Sequence, residues 1–125
     1  MTTQRSYSKF EREIMDSFRH KLDLAESTED VKKEFVLAVE HLLRKVFADE
    51  LACMAEDIFL DAGAEPWYHF SPRLDKLERL QVERQSSDLS SIIERLAFKA
   101  SKRYRHLGKN PEKTEAKIFP KPRQQ

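Results

Sequence analysis

The chain has 125 residues, of which 36% are charged and 39% hydrophobic, so its length predicts one domain with a single core. The charged fraction exceeds the roughly 25% of ordinary globular chains, and only two residues are glycine, which favours helices with solvated faces over turn-rich β structure. No apolar run approaches the ~20 residues of a membrane span, and the start of the chain is not typical of a signal peptide, so we expect a cytoplasmic protein without a membrane partner.

The first predicted helix extends from about residue 7 to residue 25. Its apolar residues recur every three or four positions and therefore share one face. These residues are Tyr7, Phe10, Ile14, Phe18, Leu22 and Ala25.

A second helix is predicted to begin at Ser27-Thr28, because a hydroxyl cap followed by acids satisfies free N–H groups and complements the helix dipole. The apolar pattern then continues over residues 29–62 without Gly or Pro. One helix of that length would extend about 50 Å, which is too long for a compact domain of this size. We expect either a break near residues 48–50, with Asp49 as a new cap, or a continuous helix that projects into a partner. Gly63 ends the pattern in both cases.

An aromatic loop is predicted over residues 63–71. Four of its residues are candidates for a partner anchor, because aromatic side chains on a rigid loop can bind a partner or line a pocket. They are Trp67, Tyr68, His69 and Phe70. The alternative, which we favour, is that the loop plugs an open end of the bundle, since Trp and Tyr can bury a ring and still reach water.

Two further helices are predicted after the loop. Ser71-Pro72 is typical of a cap and a first helical residue, and that helix continues to about Gln85. Asp88 is predicted to cap the last helix, which continues to about Leu107 and stops at Gly108. No strand alternation is present. The expected fold is all-α, a compact bundle of four to five helices over residues 1–108, with a flexible basic tail over residues 109–125.

The basic residues are concentrated at the C-terminal end. Residues 99–125 contain nine Lys or Arg and two acids, a net charge of +7, whereas the rest of the chain carries −6. Five basic residues of the last helix are candidates for contact with a partner or with nucleic acid. They are Arg95, Lys99, Lys102, Arg103 and Arg105. The alternative is a solvated face whose cations complement the helix dipole, and the pI of about 7.9 is lower than that of most nucleic-acid-binding domains.

No pattern indicates catalysis, a metal or a cofactor. Two glycines cannot build a phosphate-binding loop, and no nucleophile elbow is present. Four potential metal ligands recur at four-residue intervals, namely Asp57, Asp61, Glu65 and His69. Gly63 and Pro66 interrupt the helix between them, so the four need not share one face. Cys53, the only cysteine, lies among apolar residues, which is typical of a buried, unreactive thiol.

The expected function is therefore a non-catalytic helical protein-interaction module or accessory subunit. One form of it is a homodimer that buries the long second helix, and another binds a different protein. The alternative is a nucleic-acid-binding protein that uses the basic last helix and the C-terminal tail.

Overall fold

The computed structural model describes residues 6–48, 51 and 55–109, and this part of the chain contains five α-helices and one β-hairpin. The elements are α1 (Ser8–Leu24), α2 (Thr28–Phe47), β1 (Ile58–Leu60), β2 (Tyr68–Phe70), α3 (Pro72–Asp75), α4 (Glu78–Ser86) and α5 (Leu89–Lys109). The all-α bundle is confirmed, with the addition of a small two-stranded sheet. Asp49, Cys53 and residues 110–125 of the predicted tail lie outside the described residues.

The core lies where α1, α2 and α5 pack against one another. The apolar stripes predicted from periodicity are the buried faces of these helices. Residues with no exposed surface include Val31, Phe35, Val39 and Leu42 of α2 and Leu89, Ile92, Ile93 and Leu96 of α5. Each such side chain contributes about 1.5–3 kcal/mol of transfer free energy, so these three helices supply most of the hydrophobic stabilisation.

Two of the predicted caps are confirmed. The Ser27 hydroxyl accepts a hydrogen bond from the Asp30 N–H at 3.1 Å, and the Ser71 hydroxyl accepts one from the Leu74 N–H at 3.2 Å. These bonds satisfy donors in the first turns of α2 and α3.

Asp88 has a different role from the predicted cap of α5. Its carboxylate accepts hydrogen bonds from the Tyr7 N–H at 2.9 Å and from the Ser6 hydroxyl at 3.1 Å. At α5 the Ser87 hydroxyl accepts from the Leu89 N–H at 3.1 Å. Asp88 therefore connects the beginning of α5 to the beginning of α1. The predicted stop of the last helix at Gly108 is wrong, because α5 continues through Gly108 and ends at Lys109, the first residue of the predicted tail.

Of the two alternatives predicted for residues 29–62, the break near residues 48–50 is confirmed and the continuous helix is wrong. Helix α2 ends at Phe47, because Ala48 adopts a left-handed conformation with φ of 52° and donates its N–H to the Arg44 carbonyl. Residues 58–60 instead form β1, antiparallel to β2, with Ile58 opposite Phe70. The predicted aromatic loop is thus partly strand.

The hairpin forms because its side chains alternate between core and solvent. Ile58, Tyr68 and Phe70 are buried, whereas Phe59 and His69 face outward. Strand β1 packs against α2 and α5, so the hairpin covers one part of the helical core.

The single helix predicted after Ser71 is also wrong, since it is divided into α3 and α4. Leu77 has extended backbone angles, φ −69° and ψ 121°, which interrupt the helix. Leu74 and Leu80 are nevertheless fully buried on either side of the break.

Candidate functional site

The hairpin and the last helix meet at Trp67 and Phe98. Their ring centroids are 6.0 Å apart and the ring planes are tilted by 54°. The Arg105 guanidinium lies over the Trp67 ring at 5.1 Å from its centroid, and the Lys102 ammonium lies over the Phe98 ring at 5.5 Å. Phe98 is 45% exposed. We call these four residues the aromatic–cation surface.

Local sequence explains how α5 contributes three of the four residues. Phe98, Lys102 and Arg105 follow one another at intervals of four and three, so they share a stripe of the helix. Phe98 was not predicted as a site residue. The sequence pattern that could have identified Phe98 is a large apolar residue on a helix stripe that is otherwise charged.

The turn of the hairpin positions the fourth residue, Trp67. Its N–H donates to the Ala64 carbonyl at 2.9 Å, and its carbonyl accepts from the Asp61 N–H at 2.8 Å. Its φ of 79° lies in the left-handed region, which large side chains seldom adopt. The backbone of Trp67 is therefore held by the turn on both sides of the residue, and its ring meets α5.

The other three aromatic-loop residues divide between core and surface. Tyr68 and Phe70 are 5% and 4% exposed, so their rings belong to the core. The Tyr68 hydroxyl accepts from Arg84 Nη2 at 3.3 Å. Burial raises the pKa of Tyr68, and the nearby Arg84 charge opposes that rise. His69 faces outward and stacks on Phe59, with ring centroids 4.8 Å apart.

Arg95 is engaged within the chain. Its guanidinium donates two hydrogen bonds to Glu11 of α1, at 2.6 and 2.8 Å. The Glu11 side chain is only 17% exposed. Hydrogen bonding to Glu11 raises the pKa of Arg95 further above its ordinary value. The charge of Arg95 is therefore compensated inside the fold.

Arg103 is anchored at the end of α1. Its Nη2 donates to the carbonyls of Asp23 and Ala25 at 3.2 and 3.0 Å, where the negative end of the helix dipole favours a cation. Its Nε is buried without a hydrogen-bond partner among the described residues. No carboxylate of the described chain pairs with Arg103.

A groove of about 300 Å³ separates α1 from α5. It is lined by Arg19, Leu22, Asp23, Lys99, Lys102 and Arg103. Four cations and one carboxylate give it a net charge of +3. We call it the basic groove. Lys102 belongs to both this groove and the aromatic–cation surface, so the two are continuous.

The cations of the basic groove have few acidic partners. Arg19 lies 3.6 Å from Asp16, but both side chains are largely exposed, at 56% and 88%. Within residues 6–48, 51 and 55–109, no carboxylate forms an ion pair with Lys99 or Lys102.

A second groove, of about 330 Å³, lies between α1 and α2. It contains the exposed Leu37 beside acids and bases in similar number, including Glu13, Glu34, Lys21 and His41. It therefore has no charge bias that would select a ligand.

The buried acid Asp57 is part of a structural cluster. It is 5% exposed, forms an ion pair with Arg73, and accepts a hydrogen bond from the Ser71 hydroxyl at 2.6 Å. Since Ser71 also caps α3, the cluster joins the hairpin to that helix. Among the described residues no three His, Cys, Asp or Glu side chains are grouped so that they could hold a metal ion.

No protein-family model matches the chain, and no curated protein or solved structure matches it significantly. None of the helices in the described part is long and apolar enough to span a bilayer.

Proposed function

We propose that this protein is a non-catalytic interaction module that binds a protein partner through the aromatic–cation surface. The observation that carries the proposal is the contact between Trp67 and Phe98 beneath the cations of Arg105 and Lys102. Aromatic and Arg side chains are enriched at the centres of protein interfaces, where they contribute most of the binding energy.

The arrangement suits an interface because its parts are already ordered. The Trp67 backbone is held by the hairpin turn, and Phe98 projects from a regular helix. Ring–cation contacts further restrict Arg105 and Lys102. Less side-chain entropy is then lost when a partner binds, which increases the affinity available from a small surface.

A second copy of the chain is a weaker candidate for the partner. The homodimer, one of the two forms expected from the sequence, was based on the long apolar pattern of the second helix. Helix α2 uses that face in its own core, where Val31, Phe35 and Val39 are fully buried. A two-fold dimer through the aromatic–cation surface would place like charges opposite each other. A different protein is therefore the better candidate.

Nucleic acid is the second candidate function, favoured by the continuity of the aromatic–cation surface with the basic groove. Bases stack on aromatic faces and cations contact phosphates in single-strand binding. Here Arg105 and Lys102 already cover faces of the two rings, and the 54° tilt between the rings leaves no parallel slot for a base. A protein partner therefore ranks first.

Site-specific photo-crosslinking tests the proposal. A benzoylphenylalanine is placed at Phe98 in the full chain, and at Leu37 of α2, which is 45% exposed as Phe98 is, as the matched control. After irradiation in cells of the source organism, we expect a protein adduct of defined mass at position 98 and none at position 37. The captured protein is then purified and its binding is measured directly.

The substitution Arg105→Glu in the crosslinking chain is expected to reduce the adduct, and circular dichroism checks that this variant folds. Absence of a protein adduct specific to position 98, or an adduct insensitive to Arg105→Glu, would contradict the proposal. An adduct that nuclease removes would support the second candidate.

A further inference from the structure

We infer that the partner contributes an acidic segment, with an apolar side chain on Trp67 and Phe98 and neighbouring carboxylates in the basic groove. This inference rests on the proposed function and specifies the chemistry of the partner.

Charge complementarity is the first argument. Between Glu94 and Glu112 the sequence has no acidic residue. Arg95 is compensated by Glu11, but Lys99, Lys102 and Arg105 have no carboxylate partner among the described residues. Such a concentration of unpaired cations favours a ligand that supplies carboxylates.

The position of Lys102 is the second argument. Its ammonium lies 5.5 Å from the Phe98 ring centroid, and the same side chain lines the basic groove. A chain that crosses α5 can therefore contact the rings and the groove together. Phe98 and the groove residue Lys102 are separated by about 6 Å along the helix, a distance that two extended residues span. We expect the acids to lie within about four residues of the apolar anchor.

Arg103 and the ring geometry favour carboxylates over a nucleic-acid backbone. Arg103 is fixed by the carbonyls of Asp23 and Ala25, so its charge is oriented before binding. Asp23 itself lines the groove and would repel a continuous row of phosphates more than a few spaced carboxylates. The cations over both rings also hinder base stacking.

The test uses the full chain and three probes: a short peptide with a central Trp flanked by Glu and Asp, the same peptide with Gln and Asn, and oligo(dT). Binding is measured by fluorescence anisotropy and by amide shifts of residues 98–105. We expect the acidic peptide to bind about tenfold more tightly than the neutral one. The difference should fall with added salt, as the Debye length shortens from ~10 Å at 0.1 M to ~3 Å at 1 M.

Two matched variants locate the charged contact. Lys99→Glu changes a groove residue outside the ring contacts, and Lys33→Glu changes an exposed lysine on α2. Lys99→Glu should weaken acidic-peptide binding about fivefold, near the upper end for one exposed charge pair. It should leave neutral-peptide binding unchanged, and Lys33→Glu should change neither.

Four other results would each overturn the inference. Equal affinity for the acidic and neutral peptides, with both weakened by Phe98→Ala, overturns it while leaving the proposed function standing. Tighter binding of oligo(dT) than of the acidic peptide overturns it in favour of nucleic acid. Absence of peptide binding, or equal effects of Lys99→Glu and Lys33→Glu, also overturns it.

Discussion

Arg95 and Glu11 join the last helix to the first through two parallel hydrogen bonds, Nε to Oε2 at 2.6 Å and Nη2 to Oε1 at 2.8 Å. A planar guanidinium and a carboxylate match in this geometry. The spacing of Arg95 with Lys99 and Lys102 places all three on one helix face, yet only Arg95 meets an acid of α1. The pairing distinguishes Arg95, which joins two helices, from Lys99 and Lys102, which have no carboxylate partner among the described residues.

The Arg95–Glu11 pair should contribute measurably to stability. Loss of either side chain by Arg95→Ala or Glu11→Ala should lower the free energy of unfolding by about 0.5–1 kcal/mol, a modest value because Arg95 is 52% exposed and solvent screens the pair. Urea denaturation of the two single variants and the double variant measures the coupling. Lys99→Ala is the control and should change stability by less than about 0.5 kcal/mol. Strictly additive losses in the double variant would show that the pair contributes nothing.

The Asp57 cluster should be more sensitive than any surface ion pair. Asp57→Asn keeps the side-chain shape but removes the charge that faces Arg73 and alters the bond from the Ser71 hydroxyl at 2.6 Å. We expect a loss of about 2 kcal/mol in the free energy of unfolding, below the full cost for a buried pair because the Arg73 side chain is 48% exposed.

Asp61→Asn is the matched control for the Asp57 prediction. The Asp61 carboxylate accepts an exposed hydrogen bond from the Gly63 N–H at 3.2 Å, so the loss should stay below about 1 kcal/mol. Chemical denaturation of both variants gives the comparison. Similar losses for Asp57→Asn and Asp61→Asn would mean that the buried cluster has no special role.

Local periodicity was sufficient to predict α1, the beginning of α2 and the buried face of α5, because each depends on residues three or four positions apart. The hairpin could not be predicted in this way. Its strands have three residues each, too few to establish alternation, and their apolar residues also fit a helical spacing. The end of α2 depends on Ala48, which has a left-handed backbone without being glycine.

Three of the four residues of the aromatic–cation surface, Trp67, Lys102 and Arg105, were predicted as separate candidates, whereas Phe98 and the contact between the parts were not. Trp67 and the cations of α5 were identified separately, from an aromatic cluster and from a charge excess. Their contact depends on how the hairpin packs beside α5, which no local pattern encodes. Arg95 could not be separated from Lys99 because its partner, Glu11, is 84 positions away.

Ala48 should be a site where glycine stabilises the protein. Its φ of 52° brings the Cβ close to the backbone, a strain of about 1 kcal/mol that glycine lacks. We expect Ala48→Gly to raise the free energy of unfolding by about 0.5 kcal/mol after the entropy cost of glycine. Thermal denaturation measures the change.

Ala25→Gly is the control for Ala48. Ala25 follows α1 with an ordinary φ of −64° and is 5% exposed, so glycine relieves no strain there and loses a buried methyl. That variant should be destabilised by about 1 kcal/mol. If both glycine variants are destabilised equally, the left-handed conformation of Ala48 carries no strain.

Tyr68 should make the protein sensitive to alkaline pH. Burial raises the pKa of Tyr68 above its ordinary value of 10.0, so above that pH the phenol ionises in the unfolded chain while it stays protonated in the folded one. The unfolded state then binds fewer protons, and stability falls as pH rises. The contribution of Tyr68 is fully present below pH 10.0 and is lost as pH passes through the raised pKa.

Tyr68→Phe should therefore flatten the alkaline decline in stability. At neutral pH it should cost less than about 1 kcal/mol, since it removes one long hydrogen bond from Arg84, at 3.3 Å. Urea denaturation between about pH 8 and pH 11 gives the change of the free energy of unfolding with pH for Tyr68→Phe and for the unmodified protein. Lysine titration contributes equally to both proteins and therefore cancels in the difference. Tyr104→Phe, on a half-buried tyrosine of α5, controls for the loss of a phenol. A Tyr68→Phe curve parallel to that of the unmodified protein would show that ionisation of Tyr68 does not drive alkaline unfolding.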